Sequence, residues 1–71
     1  MGWPDYRASV EIAAKGYSFS TIIMAAMRKA DTDNLEILTT AWPEIEKELR
    51  LRYKAPGGFL TEREAERFDE P

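Results

Sequence analysis

The sequence contains no cysteine and no histidine among its 71 residues. Without cysteine the chain forms no disulfide and offers no thiolate ligand or thiol nucleophile, and this absence favours a reducing compartment. Without histidine it lacks the side chain that titrates nearest to neutral pH and the commonest nitrogen ligand of zinc. These absences argue against most hydrolase mechanisms and transition-metal sites. We therefore expect a protein that is not an enzyme and that holds no metal ion or cofactor.

Long apolar runs and an excess of one charge sign are also missing. The longest apolar run, residues 22–27, is far too short to span a bilayer, and the first residues lack a charged segment followed by an apolar one. We expect no export signal, no membrane contact and a cytoplasmic location. The 13 acidic and 10 basic side chains are interspersed and give a net charge of -3. This acidic balance argues against a dedicated duplex-DNA binder, because binding to phosphates requires a basic patch.

Apolar residues recur at helical spacing in the first half of the chain. Residues 4–15 predict a first helix that ends before Gly16, and Ser18 is a suitable N-cap for a second helix. The apolar stripe of this second helix is unusually wide, so the helix is expected to be central in the core or to contact a partner. The stripe consists of Phe19, Ile22, Ile23, Ala26, Met27 and Ala30.

A further apolar stripe covers residues 34–54 and is interrupted by Pro43. Asp33 with Glu36 predicts a capping box at its start. The proline predicts either a kink near Ala41 or two abutting helices with Pro43 in the first turn of the second. Tyr53 continues this stripe, and we expect it to be a core side chain.

The end of the chain is short and charged. Residues 55–58, with one proline and two glycines, stop the preceding helix. Thr61 with Glu64 predicts a capping box that opens a short helix, which would fray in water on its own.

Together these patterns predict an all-α protein, a small bundle of three to four helices. The third helix is interrupted or kinked at Pro43, and the C-terminal helix is short and frayed. Residues 1–60 form a single helical domain. Residues 61–71 form a charged segment that is a short helix or partly disordered.

A cluster of oxygen-bearing side chains after the second helix invites a calcium interpretation. It comprises Asp31, Asp33, Asn34 and Glu36. A calcium loop of the EF-hand type requires glycine at its sixth position and a distant glutamate, and this stretch provides neither. Helix capping is therefore the better account of these residues.

Two groups of side chains are candidate partner-binding residues. The first is a set of cations at helix ends that could bind an anion or an acidic protein if those ends meet: Arg28, Lys29, Arg50, Arg52 and Lys54. The second is a set of large apolar side chains at the edges of the stripes: Trp3, Met24, Trp42 and Leu51. Interfaces favour Trp, Met and Arg, but a chain this small could also use every large side chain in its own core.

Residues 18–30 and 35–42 have about the lengths of a helix-turn-helix motif. The second of these segments offers no Arg, Lys, Asn or Gln to base edges and carries an acid instead. Nucleic-acid recognition is therefore an alternative and not the leading hypothesis.

Four stretches between residues 16 and 60 resemble small uncharacterised helical proteins encoded by tailed phages and prophages. They are Gly16-Tyr17-Ser18-Phe19-Ser20, Ala30-Asp31-Thr32-Asp33-Asn34-Leu35, Trp42-Pro43-Glu44 and Arg52-Tyr53-Lys54-Ala55-Pro56-Gly57-Gly58. The resemblance implies an accessory protein that acts by binding host machinery or a component of bacterial immunity. It carries over no catalytic or binding residue.

The leading hypothesis is therefore a non-enzymatic helical interaction protein, encoded by a phage, that binds and inhibits or modulates a host protein. A defence-system protein is one such host target, and the wide apolar surface adds a homo-oligomer to the candidate assemblies. The alternative is a helical nucleic-acid-binding or transcription-associated protein. A third hypothesis is a nucleotide-binding sponge that uses Arg28, Lys29, Arg50 and Arg52.

Overall fold

The computed structural model describes residues 1–68, in which short connections join helices. The described residues form five α-helices and one 3₁₀ turn: α1 (Trp3–Ala14), α2 (Phe19–Lys29), α3 (Thr32–Ala41), α4 (Pro43–Lys54), the turn Pro56–Gly58 and α5 (Glu62–Phe68). The predicted all-α class is confirmed. The predicted number of helices is too low, because the proline separates α3 from α4 and the C-terminal segment adds a helix. Residues 69–71, the end of that predicted segment, lie outside the described residues.

Local signals set the C-terminal end of α1 and the start of α2, as predicted, whereas α1 begins at Trp3, one residue before the predicted start. Gly16 follows the C-cap of α1 with a φ of 75°, a left-handed conformation that glycine adopts without steric cost. The Ser18 hydroxyl accepts a hydrogen bond from the Thr21 N–H at 3.1 Å and so caps α2. The glycine turn and the serine cap each depend only on residues close together in the sequence, so both could be predicted from the sequence alone.

The start of α3 differs from the prediction. The N-cap is Asp31, whose Oδ1 accepts a hydrogen bond from the Asn34 N–H at 2.8 Å. The predicted N-cap, Asp33, lies inside the first turn, where its charge complements the helix dipole. Asp31 and Asp33 both satisfy the residue preference of an N-cap. An N-cap has an extended backbone, and Asp31 is extended, whereas Asp33 already lies in the first turn of the helix.

Of the two arrangements predicted at Pro43, the structure has two abutting helices. Trp42 ends α3 and begins α4, with a φ of -134° and a ψ of 67°, and Pro43 occupies the first turn of α4. A residue before proline avoids the α region, which explains the break at this position. The Trp42 ring packs edge-on against Phe19, with 5.4 Å between the ring centroids.

The core of the described residues is small. Its two buried side chains, Ile23 and Met27, lie one turn apart on α2, with 9% and 3% of their surface exposed. The α2 helix packs on both α3 and α4, as its wide apolar stripe predicts, and α4 in turn contacts α2, α3 and the turn Pro56–Gly58. The rest of the α2 stripe is not uniformly buried: Phe19 and Ala26 are exposed.

The prediction that Tyr53 is a core side chain is wrong, because 75% of its surface is exposed. It lies in the last turn of α4. The Arg28 guanidinium lies 5.8 Å from the centre of its ring, at the end of α2. The helical period of the stripe is intact, but no helix within residues 1–68 covers this residue.

The molecule is flat and elongated. Its principal extents are 43 × 27 × 15 Å, and its radius of gyration is 14.6 Å, whereas a compact chain of this length would have a radius of gyration of about 11 Å. A thickness of 15 Å leaves room for little more than one layer of helices, since one helix with side chains is about 10–12 Å across. Every residue of α1 is exposed, so this helix adds length and no core.

A side-chain clasp holds α5 against α4. The Arg52 guanidinium donates two parallel hydrogen bonds to the Glu64 carboxylate, at 2.8 and 2.9 Å, and a third to the Gly58 carbonyl at 2.9 Å. Glu64 also accepts from the Leu60 N–H. Thr61 caps α5 by accepting from the Glu64 N–H, so the predicted capping box is half formed. We call the Arg52–Glu64 pair the clasp.

Candidate docking surfaces

Most large apolar side chains of the described residues lie on the surface. Those that are clearly exposed include Trp3, Tyr6, Val10, Ile12, Tyr17, Phe19, Ile37, Leu51, Tyr53 and Phe68. Scattered apolar side chains are normal on protein surfaces, but contiguous apolar patches mark sites that bind something. Three of these side chains line two grooves on either side of α2: Ile12 and Tyr17 line one groove, and Tyr53 lines the other.

The first groove lies between the C-terminal half of α2 and helices α3 and α4. It has a volume of about 370 Å³ and is lined by Met27, Arg28, Leu35, Glu46, Leu49, Arg50, Tyr53 and Lys54. Met27 is buried, Leu49 is half-buried and Leu35 is more exposed, so together they form an apolar floor. We call this site the basic groove.

Cations and one aromatic ring form the edge of the basic groove. Arg28 lies in the last turn of α2, with its guanidinium over the exposed ring of Tyr53. Arg50 donates from Nε to Glu46 Oε1 at 3.0 Å, so one of the cations is partly neutralised. Lys54 lies in the last turn of α4 and completes the edge. Three cations against one carboxylate give this edge a local positive charge on a chain whose net charge is -3.

The second groove lies on the opposite side of α2, beside the C-terminal end of α1. It has a volume of about 600 Å³ and is lined by Ile12, Tyr17, Thr21, Ile22, Ala25, Ala26 and Lys29. Its floor is the stripe of Ile22, Ala25 and Ala26, which are neighbours at helical spacing. Lys29, at one end, is the single charged residue in the lining. We call this site the outer groove.

The structure brings together only part of the predicted cationic patch. Arg28, Arg50 and Lys54 line the basic groove. Lys29 lines the outer groove instead, because successive residues of a helix point about 100° apart. Arg52 is engaged in the clasp and is not at the edge of either groove.

The predicted apolar contacts are also dispersed. Trp3 is exposed near the start of α1, and Leu51 is exposed on α4, where it lines neither groove. Met24 is half-buried on α2. Sequence reasoning missed the role of Ala25 and Ala26 as a groove floor, although the unusual width of the α2 stripe was the signal for it.

The exposed face of α3 bears on the helix-turn-helix hypothesis. A shallow depression there is lined by Asp33, Glu36, Ile37, Thr40 and Ala41. Acidic side chains at this position would repel DNA phosphates, and a recognition helix needs donors for base edges. The exposed face of α3 therefore gives no support to the hypothesis that this helix recognises duplex DNA.

The clasp accounts for the carboxyl group whose pKa departs most clearly from its ordinary value in the described part of the chain. The hydrogen bonds from Arg52, and then the one from the Leu60 N–H, lower the pKa of Glu64 from 4.5 to about 2. The same pairing raises the pKa of Arg52. This shift results from an ion pair that joins two helices and lies outside both grooves.

No cluster of three or more acidic side chains within residues 1–68 is arranged to hold a metal ion. Within the same range, no helix has the length and apolar character needed to cross a membrane. Comparison with protein-family models, with curated proteins and with solved structures finds no match for this chain.

Proposed function

We propose that this protein is a non-enzymatic binding protein that recognises an acidic, partly apolar segment of another protein in the basic groove. The observation that carries the proposal is the combination of an apolar floor with an edge of three cations and an exposed tyrosine. Apolar contact at the floor supplies affinity, and the surrounding charge selects the partner.

The apolar floor gives a partner side chain a site from which water is excluded. Met27 is 97% covered by its own chain, so it is a rigid base, whereas Leu35 and Leu49 leave apolar surface open to the groove. Interface hot spots typically consist of such a central apolar pocket surrounded by residues that exclude water. A leucine or an aromatic side chain of the partner fits this description.

The charge around the floor favours an acidic partner. Arg28 and Lys54 have no carboxylate partner among the ion pairs of the described residues, whereas Arg50 is paired with Glu46. Carboxylates placed beside the two free cations would gain charge-assisted hydrogen bonds. A basic partner would meet repulsion at the same edge, which makes the groove selective.

A binding role without catalysis is supported by the chemistry of the lining. The sequence has no histidine or cysteine. Among the described residues, Glu46 is the carboxylate in the basic groove, and it accepts a hydrogen bond from Arg50. The resemblance to small phage-encoded proteins supports a bacterial host protein, including a defence protein, as the partner that binding would inhibit or modulate.

Single-stranded nucleic acid is a second candidate ligand for the same groove. The specific observation in its favour is the exposed ring of Tyr53 beside Arg28, since bases stack on aromatic rings while cations contact phosphates. The nucleotide-sponge hypothesis gains no such support, because its four cations do not converge: Lys29 and Arg52 lie away from the basic groove.

Affinity capture with charge-reversed variants tests the proposal. The wild-type protein is immobilised, and proteins captured from a bacterial lysate are compared with those captured by a variant carrying Arg28→Glu and Lys54→Glu. The matched control carries Lys15→Glu and Lys47→Glu, which change the net charge equally at exposed positions outside the basic groove. We expect the groove variant to lose the captured protein and the control to retain it.

Direct binding of the captured partner then gives the magnitude. We expect reversal of both cations to weaken binding at least about tenfold, the effect of roughly 1.4 kcal/mol. Equal binding by the groove variant and the control would refute the proposed site. Binding of a mixed-sequence single-stranded oligonucleotide that is lost in the groove variant, with no captured protein, would favour the second candidate instead.

A further inference from the structure

Helix α1 presents an apolar face that the other described residues leave exposed. Trp3, Tyr6 and Val10 lie at helical spacing on this face, and all three are exposed. Ile12, two residues after Val10, points about 200° away and lines the outer groove. The apolar stripe of α1 is therefore uncovered by the rest of residues 1–68 and is accessible to a second molecule.

The outer groove is complementary in shape to the apolar stripe of α1. Its floor contains Ala25 and Ala26, whose small side chains leave room for the bulky Trp3 and Tyr6 of a neighbouring helix. The 11 residues of α2 and the 12 residues of α1 give the two helices lengths of about 16 and 18 Å. One chain thus carries both a protruding apolar helix and an open apolar groove of matching length.

The surface that this chain exposes in excess of a compact monomer is as large as the area that each partner buries in a stable dimer. The chain exposes 6273 Å². A compact monomer of 8.2 kDa would expose about 4,500 Å², which leaves an excess of roughly 1,700 Å². Stable interfaces bury about 800 Å² on each partner, and obligate homodimers bury about 1,000–2,500 Å² on each. The excess falls in the obligate range.

We propose that two copies of this chain form a two-fold dimer in which the α1 stripe of each copy packs into the outer groove of the other. A two-fold axis makes the same contact twice, so both stripes and both grooves are covered at once. The outer groove contains one charged residue, at its end, and charge-poor centres are typical of homodimer interfaces. The basic groove lies on the other side of α2 and stays open in this dimer.

The mass of the full chain in solution tests the dimer. We expect sedimentation equilibrium to give twice the chain mass for the wild type. Val10→Glu places a charge in the stripe, Ala25→Glu places one in the groove floor, and each should reduce the mass to one chain at the same concentration. Leu51→Glu is the matched control, because Leu51 lines neither groove and is 44% exposed, against 42% for Val10. It should leave the dimer intact.

Mixing the two charged variants tests the reciprocal contact itself. In a mixed pair, the wild-type stripe of the Ala25→Glu chain meets the wild-type groove of the Val10→Glu chain, so one of the two contacts is restored. Both charges then fall in the other contact, which a single charge already opens, whereas each variant alone has both contacts open. We therefore expect the mixture to form dimers at concentrations at which each variant alone is monomeric. A contact between two α1 helices or between two α2 helices would show no such rescue.

Cross-linking gives a measurement that does not depend on charge. The chain has no cysteine, so Tyr6→Cys and Ala25→Cys chains, which place the thiols at the proposed contact, can be mixed and oxidised. We expect the mixed disulfide to exceed both self-linked products. A wild type that remains monomeric at all concentrations, an open-ended assembly, or a dimer disrupted by Leu51→Glu alone would each overturn the proposal. Circular dichroism of every variant confirms that the helices are retained.

Discussion

Burial in the thin core can be tested with the same substitution at two isoleucines. Ile23 lies on α2 with 9% of its surface exposed, whereas Ile37 lies on α3 with 65% exposed. Truncation of isoleucine to alanine removes three carbons, which at about 0.8 kcal/mol for each buried CH₂ amounts to roughly 2.4 kcal/mol at a fully buried site. A cavity term adds to this cost, and measured values for such truncations range over about 2–5 kcal/mol.

We expect Ile23→Ala to lower the free energy of unfolding by about 2–3 kcal/mol, near the lower end of that range, because a single layer of helices can relax around the cavity. Ile37→Ala should cost less than about 1 kcal/mol, since only a third of its side chain is covered and alanine is the better helix former. For a chain of this length the total stability is roughly 4–10 kcal/mol, so the difference between the two variants is a large share of it.

Urea unfolding followed by circular dichroism measures this difference. With a slope of about 1 kcal/mol per molar urea for so small a protein, the two midpoints should differ by roughly 1–3 M. All samples are compared at one protein concentration, because self-association adds to the apparent stability. Equal losses at the two positions would refute the assignment of the core to α2, and would mean that Ile37 is covered by something outside the chain.

Three further predictions concern the clasp and the ends of the helices. Because the pKa of Glu64 is lowered, the clasp stabilises the fold fully above pH 4.5 and loses its contribution as the pH falls towards about 2. A titration of the Glu64 carboxyl group by NMR should have its midpoint at about pH 2. A midpoint near 4.5 would contradict the clasp. Gly57→Ala and Gly16→Ala should each lower the free energy of unfolding by about 1–2 kcal/mol, because both positions have a positive φ. Gly57→Ala should cost more, because its Cβ would lie 2.8 Å from a ring carbon of Phe59, whereas nothing lies within 4 Å of a Cβ at Gly16. Thermal melts of the two variants would show this order. Asp31→Ala should destabilise α3 by roughly 1 kcal/mol and Asp33→Ala by at most about 0.5 kcal/mol; the reverse order in urea melts would move the N-cap to the second aspartate.

The sequence alone determined the helical class and most of the helix ends. Gly16, Ser18 and Pro43 act on the backbone within about four residues, through a left-handed turn, a side-chain cap and a steric restriction. Such interactions need no knowledge of how the helices pack. Where two residues satisfy the same local rule, as at the start of α3, the sequence could not choose between them.

Only the tertiary structure decided which apolar side chains are buried and which cations are free. Tyr53 follows the apolar period of α4 and is exposed, because burial depends on whether another helix reaches that position. Arg52 and Lys54 are equivalent in the sequence, yet Arg52 binds a glutamate 12 residues away and Lys54 edges a groove. Period and composition describe one helix at a time, whereas grooves and ion pairs between helices depend on the angles and distances at which the helices meet.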